Sequence, residues 1–270
     1  MPVIKVTDAD DPRLAPFLSI REKDLTRAHG GRFIVEGKVT LETLIRRSSY
    51  PPESVFLSEN RVEPLAPLLA ELDPDVPVYV APQTVMDEVA GFPLHRGVLA
   101  CARKGPAREV ETLLNGSRTV LVLIGLSNHD NVGACFRNAA AFGVDAVLLD
   151  ETSCDPLYRK SIRVSAGTAL TLPFAHGETG ETLMTWLKDA GFGIWCLTPS
   201  AGSVPITGLK RSKRLAIVLG AEGPGLPPDI IQRGRAVRIP MVKGMDSVNV
   251  ATAGAIALSH VFTAQEDVST

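Results

Sequence analysis

The 270 residues are 45% hydrophobic and 5% aromatic, and 28 Lys and Arg stand against 30 Asp and Glu for a net charge of −2. This length supports one large or two ordinary domains with real cores, and the balance argues against a nonspecific nucleic-acid binder, which is basic overall. The sequence has no run of about eighteen apolar residues, so no membrane span is predicted. Met1–Asp10 lacks a charged start followed by an apolar block. No signal peptide is therefore predicted, and the chain is read as cytoplasmic. Cys101, Cys135, Cys154 and Cys196 are scattered without a Cys-x-x-Cys pair, which reads as reduced thiols and no zinc or other metal site.

Residues 1–104 read as a compact α/β domain. Helices are predicted over Leu14–Leu25, Val39–Arg47, Glu63–Leu72 and Gln83–Ala90, and strands over Arg32–Val35, Ser54–Leu57, Val76–Val80 and Gly97–Ala102. Leu41, Leu44 and Ile45 give the second helix an apolar face, and Gly91 stops the fourth. His29, His95 and Arg96 are polar candidates here, but each alone reads as surface. Residues 105–118 carry Gly105, Pro106, Asn115 and Gly116 with no clean apolar period, and are read as a linker.

Residues 119–270 read as a second domain. Thr119–Gly125 is almost wholly aliphatic, as a strand buried on both faces would be. Further strands are predicted over Ala146–Leu149, Gly193–Thr198, Leu215–Gly220 and Ala236–Ile239. Helices are predicted over Val132–Phe142, Pro156–Val164 and Thr182–Ala190, and in the Ala- and Gly-rich stretch after Asn249. At least three strands run into polar loops bearing Gly or Pro, and in a parallel sheet such C-terminal ends lie side by side where ligands bind.

Three stretches carry chemistry. Asn131 opens a helix after a buried strand, and Arg137 lies on the same helix; a positive helix terminus with an arginine suits a phosphate or alkoxide. An ordinary surface arginine is the bland alternative. Gly220-Ala-Glu222-Gly-Pro-Gly225 is neither a Walker loop nor a Gly-x-Gly-x-x-Gly fingerprint. A glycine-dense loop with one glutamate suits an adenosine-like ligand held by backbone groups; an ordinary turn is the alternative. Ser247 and Asn249 flank Val248 where the last helix starts, either to hydrogen-bond a ligand or simply to cap the helix.

The fixed order of these stretches resembles the SpoU-type (TrmH-like) RNA ribose methyltransferases of the SPOUT superfamily. "NVGACFRNAAAFG", "VLGAEGPGLP" and "IPMVKGMDSVNVATA" are similar to the family's three motifs, and "RVSAGTALTLP" and "GGRFIVEG" to further family segments. Val248 stands where a leucine is usual, a conservative departure. The resemblance implies a parallel-sheet catalytic domain with a deep trefoil knot, preceded by a small N-terminal α/β (L30e-like) RNA-binding domain. It implies S-adenosyl-L-methionine as cofactor, S-adenosyl-L-homocysteine as product, and no metal. Leu197, Thr198, Gly220, Glu222, Gly225, Ile239, Met241, Val248 and Asn249 would line the cofactor site. Asn131, Arg137, Glu222, Ser247 and Asn249 would form the catalytic set, with Arg137 holding a phosphate and easing loss of the 2′-hydroxyl proton. The active form would be a homodimer acting on rRNA or tRNA. Arg21, Lys23, Arg27 and Arg32 in the first domain would grip RNA, with Arg159 and Arg163 in one basic stretch and Lys210–Arg214 as another. Two other classes stay open: an RNA-binding relative without turnover, and a nucleotide-dependent oxidoreductase.

Overall fold

The computed structural model describes residues 3–18, 20 and 31–266. Its strands are β1 (Val3–Lys5), β2 (Arg32–Glu36), β3 (Pro52–Ser58), β4 (Val78–Ala81), β5 (Val98–Arg103), β6 (Thr119–Leu123), β7 (Ala146–Asp150), β8 (Phe174–Glu178), β9 (Gly193–Leu197), β10 (Val204–Pro205), β11 (Leu215–Leu219) and β12 (Arg235–Arg238). Its α-helices are α1 (Lys38–Arg47), α2 (Glu59–Leu69), α3 (Gln83–Ala90), α4 (Val110–Asn115), α5 (His129–Ala141), α6 (Arg159–Val164), α7 (Gly180–Asp189), α8 (Pro228–Gln232) and α9 (Val250–Glu266). The chain divides into two compact units, one of residues 1–106 and 157–171, the other of residues 107–156 and 172–270.

The first unit is built on a five-stranded sheet in the order β1-β4-β3-β5-β2. β4 pairs in parallel with β1 and β3, while β5 runs antiparallel to β3 and β2. Leu14, Phe17, Phe56, Met86 and Leu99 are buried together in its core. Of the helix expected over Leu14–Leu25, the described residues show a 3-10 turn over Pro12–Phe17, with Pro16 inside it and Leu18 already extended; residues 19 and 21–25 lie outside the described residues. Arg21, Lys23 and Arg27 lie outside the described residues. The third helix expected in this region, over Glu63–Leu72, spans Glu59–Leu69 instead, with Pro64 and Pro67 inside it on its exposed side.

The domain limits read from the sequence also change. Residues 105–118 are not a bare linker: they contain α4, whose Val110 and Leu114 enter the core of the second unit. A one-and-a-half-turn helix shows only one apolar i,i+4 pair, too short a pattern to stand out. The segment Leu157–Thr171 belongs to the first unit, where Tyr158 joins the core and Arg159 forms an ion pair with Glu36. Their side chains are only 12% and 7% exposed, and Arg159 also lies over the Phe92 ring at 5.0 Å. In the same segment Gly167, at φ 89°, sits so close to α1 that a Cβ would meet Thr43 Oγ1 at 2.9 Å.

The second unit carries a seven-stranded sheet in the order β10-β12-β9-β11-β6-β7-β8, with every pairing parallel. β6, β7 and β11 are buried along their whole length, which accounts for their unbroken aliphatic sequence. The Ala- and Gly-rich α9 packs tightly here: a Cβ on Gly254 would come within 2.8 Å of Leu219 Cδ1 on β11. Asn138 Nδ2 of α5 donates to the Ala251 carbonyl at 2.9 Å, joining α5 to the start of α9.

Removing one partner of a buried ion pair leaves the other charge uncompensated. Glu36→Ala should therefore lower unfolding stability by about 3 kcal/mol, whereas Glu36→Leu with Arg159→Met should recover most of that loss. Urea melts of the three proteins check this; equal stability of wild type and Glu36→Ala would show that the pair does not hold the segment.

Candidate functional site

β12, β9 and β11 are neighbours in the parallel sheet, so the loops leaving them emerge side by side. Together with the start of α9 they enclose a cavity of about 390 Å³. β9 contributes Leu197, Thr198 and Pro199, β11 the loop Gly220–Gly225, and β12 Ile239 and Met241, while Ser247, Val248, Asn249 and Ala253 close it. All nine residues picked out for a cofactor line this one cavity. Sequence reasoning passed over Val237, Ala221 and Val250, which add apolar wall.

The loop geometry has a steric cause. Gly225 N–H donates to Ala221 O at 3.0 Å, closing the turn on itself. A Cβ on Gly220 would then lie 2.4 Å from Leu226 N and 2.5 Å from Gly225 C, a collision with backbone rather than with a yielding side chain. The peptide groups of Ile239, Met241 and Val248 make no backbone hydrogen bond among the described residues, so they are available to a ligand. Among the described residues, Glu222 is the only charged one lining the cavity.

At the rim the three motif stretches meet. Glu222 Oε1 accepts from Asn131 Nδ2 and, at 3.1 Å, from Asn249 Nδ2. Asn249 Nδ2 also donates to Asn131 Oδ1 at 3.0 Å. Asn249 Oδ1 accepts from Ala251 N at 2.9 Å and Thr252 N at 3.3 Å, so this residue caps α9 as well. Asn131 is buried at 7% exposure. The loop ahead of it is braced from below by Asp150, a buried carboxylate that accepts from Gly125 N at 2.9 Å and Ser153 N at 3.0 Å. Ser153 Oγ donates to Asp150 and accepts from Leu126 N at 3.0 Å. An acid closing an aliphatic strand was the sequence signal for this brace, and it was overlooked.

Other candidates lie elsewhere. Ser247 lines the cavity but joins no side-chain hydrogen bond among the described residues. Arg137 does not line it: it is exposed and unpaired among the described residues. Six residues beyond Asn131, it sits about 9 Å along the helix and about 120° around it. Arg32 shares Glu53 with Arg103; burial alone would raise that carboxyl, but the two guanidiniums outweigh it and hold it below its ordinary value. Arg159 is buried against Glu36, and Arg163 lies 3.7 Å from the same carboxylate. In the Lys210–Arg214 stretch, Arg214 donates to the Ser117 and Ala190 carbonyls and stacks 4.2 Å from the Phe192 centroid. Each of these arginines is engaged by partners far away along the chain; the sequence expectation read Arg32, Arg159 and Arg163 as gripping RNA, because such partners do not show in a local cluster.

Burial raises the four thiols from 9.0 to about 12, which cuts the thiolate population about a thousandfold. No cysteine is therefore poised as a nucleophile. At pH 8, Cys135 and Cys196 should react with an alkylating reagent at least about a hundredfold more slowly in the native protein than in denaturant. Mass-resolved labelling over time checks this, and rapid native labelling of either would contradict the burial argument.

Residues 118–259 match the model of the SpoU rRNA Methylase family. An uncharacterized tRNA/rRNA methyltransferase of Mycobacterium tuberculosis is 39% identical over 260 residues, covering 93% of this chain and 89% of that protein. The 23S rRNA (guanosine-2'-O-)-methyltransferase RlmB of Photobacterium profundum is 32% identical over 216 residues, 76% of this chain and 86% of that one. The AdoMet-bound rRNA methyltransferase of Sinorhizobium meliloti superposes with a TM-score of 0.81 over 98% of both chains at 22% identity, a likeness of fold. With its first motif stretch hydrogen-bonded to the other two at the rim of one cavity, and this family's model matched across all three, the chain belongs to the SpoU rRNA Methylase family.

Proposed function

We propose that this protein is an S-adenosylmethionine-dependent RNA methyltransferase that methylates a ribose 2′-hydroxyl in rRNA or tRNA and works as a homodimer. The observation that carries the reading is the cavity at the ends of β12, β9 and β11, with its fixed amide–carboxylate rim. The names of the relatives support it, since one is a 23S rRNA (guanosine-2'-O-)-methyltransferase and a protein of like fold was solved with AdoMet bound.

The residues fit the cofactor. An adenosine group needs apolar walls and peptide partners, and Leu197, Leu219, Ile239 and Val248 supply the first while Ile239, Met241 and Val248 supply the second. The volume falls within the range of small-molecule sites. Bound there, S-adenosylmethionine would supply an activated methyl: the O–CH3 bond forms as the C–S bond breaks, sulfur keeps the electron pair, and the hydroxyl proton is released.

The chain's own task is to hold a weak acid in line and ease loss of its proton. Glu222, Asn131 and Asn249 brace one another, which suits a rim that must stay fixed while substrate comes and goes. Ser247 lies beside them in the wall. Arg137 is reserved for the RNA: its guanidinium binds a flanking phosphate and lowers the cost of the developing alkoxide, acting electrostatically because it is a poor free base. Its exposed position off the cavity suits delivery to a second copy's site, and Ile256 and Phe262, 40% and 36% exposed on α9, suit a contact between copies. The reading includes a knotted C-terminus: β12 lies beyond β9 in the sheet, yet the chain returns to place α9 on β11 and α5. The first unit serves as the RNA-binding domain.

Arg137→Ala should abolish methylation while leaving S-adenosylmethionine binding within about twofold by calorimetry. Turnover kept within about tenfold, only ~1.4 kcal/mol, would remove Arg137 from the mechanism. Gly220→Ala should weaken S-adenosylmethionine binding more than about tenfold, because the added methyl collides with the loop backbone. For the function itself, mass mapping of ribose methylation in RNA from a deletion strain should show one 2′-O-methyl group missing and restored by the wild-type gene. No missing methyl, together with no S-adenosylmethionine binding, would overturn the reading.

A further inference from the structure

The first unit has a cleft of about 430 Å³ lined by Lys38, Val39, Arg61, Pro64, Leu65, His95, Arg96 and Val98. Lys38, Arg61, Arg96 and a histidine line it, and no carboxylate does among the described residues. Lys38, Arg61 and Arg96 form no ion pair among the described residues. That separates them from most arginines of this unit, since Arg13, Arg32, Arg46, Arg103 and Arg159 are all paired to acids. Glu36, two residues from Lys38, is buried and engaged by Arg159, while Glu59 and Glu63, each two residues from Arg61, lie about 160° around α2 from it.

Backbone geometry gathers these cations. Gly37, at φ 100°, is the N-cap of α1 and offers no side chain to it, and the first turn of α1 holds no acid. The Arg96 side chain packs over Gly37 so closely that a Cβ there would meet Nη1 at 3.0 Å. Gly97, at φ 60°, brings the Arg61 stem in from the other side, where a Cβ would meet its Cγ at 3.3 Å. The uncapped amide groups of α1, Lys38 at its start and two guanidiniums therefore adjoin one hollow. Val39, 61% exposed, offers an apolar surface beside them.

We infer that this cleft binds the phosphodiester backbone of the RNA substrate, gripping about three consecutive phosphates. Guanidinium forks match phosphate oxygens, helix amides add a positive terminus, and Val39 and Pro64 give a sugar or base an apolar face to rest on. The inference rests on the RNA methyltransferase reading, whose RNA grip it moves from the paired arginines to these unpaired cations. An acidic protein segment is the competing occupant; the exposed Val39 and Pro64 between separate cations favour a backbone alternating charge with flat apolar groups.

The test uses the full chain and deproteinised 23S rRNA, with affinity measured against salt. Lys38→Gln/Arg61→Gln/Arg96→Gln should bind RNA at least tenfold more weakly and reduce the salt slope by about 2, the loss for three single-strand phosphate contacts. Its S-adenosylmethionine affinity and thermal midpoint should stay as in wild type. Arg46→Gln/Arg103→Gln, which removes paired charges, should change the slope by less than about 0.5. An unchanged slope in the triple variant, or an equal fall in the control, overturns the site while leaving the methyltransferase reading in place. Wild type that binds no RNA overturns both. Displacement of the wild type from RNA by polyglutamate at matched charge, but not from the triple variant, would assign the cleft to an acidic protein segment instead.

Discussion

One carboxylate oxygen ties the second unit's loops together. Glu222 Oε1 receives amide hydrogens from Asn131, in the first turn of α5, and from Asn249, which caps α9. The partners lie 91 and 27 residues from Glu222 along the chain. A glycine-rich loop has much conformational freedom to lose, and hydrogen bonds to an ionised group are among the stronger ones a protein makes, about 1.5–3 kcal/mol each before solvent screening at an exposed rim. Asn249 also caps α9, so the orientation of its amide is set by the helix itself. The rim is thereby fixed before any ligand arrives, and preorganised polar groups are the kind that act on developing charge without first having to reorganise.

That convergence is possible only because of close backbone approaches behind it. With β12, β9, β11 and β6 side by side and parallel, four loops leave at one edge. Gly220 lets the β11 loop fold back onto Leu226, and Gly254 lets α9 settle against Leu219. Any side chain at either place pushes one wall of the cavity outward. Asp150 does the same work by polarity rather than by size: buried, it must be satisfied, and the amides and hydroxyl that satisfy it belong to the loop leading to Asn131 and to the adjoining turn.

The sequence made the second unit legible because its constraints are local. An aliphatic run of five residues is a strand buried on both faces, and β6, β7 and β11 all fall where such runs were read. Glycines at a strand's end mark a loop whatever the loop binds, whereas the residues that line the cavity were named through the resemblance to the family and not through these local signals. What escaped was non-local. Val110 and Leu114 look like linker residues until the core they enter is known. Leu157–Thr171 reads as part of the second domain, because nothing in its own residues announces that Glu36 receives Arg159. The 3-10 turn at Pro12–Phe17 was misread through its apolar spacing, with the restriction imposed by Pro12 and Pro16 given too little weight.

Charge shows the same limit more sharply. Counting Lys and Arg along a stretch measures electrostatic potential only if each is uncompensated, and several here are not. Glu53 takes both Arg32 and Arg103, which are 21 and 50 residues away, and Glu71 takes Arg46 from 25 residues away. A cation already bound to a carboxylate offers little field to a polyanion, and it must give up one partner to gain another. The informative quantity is therefore the set of cations left over once the fold has made its pairs. In the first unit that remainder includes Lys38, Arg61 and Arg96, residues from three separate elements with no cluster in the sequence. A protein with a net charge of −2 does not need a basic composition to hold a nucleic acid. At physiological salt, screening confines the field to about 8 Å, so a small patch of unpaired charge attracts phosphate almost independently of acids elsewhere on the surface.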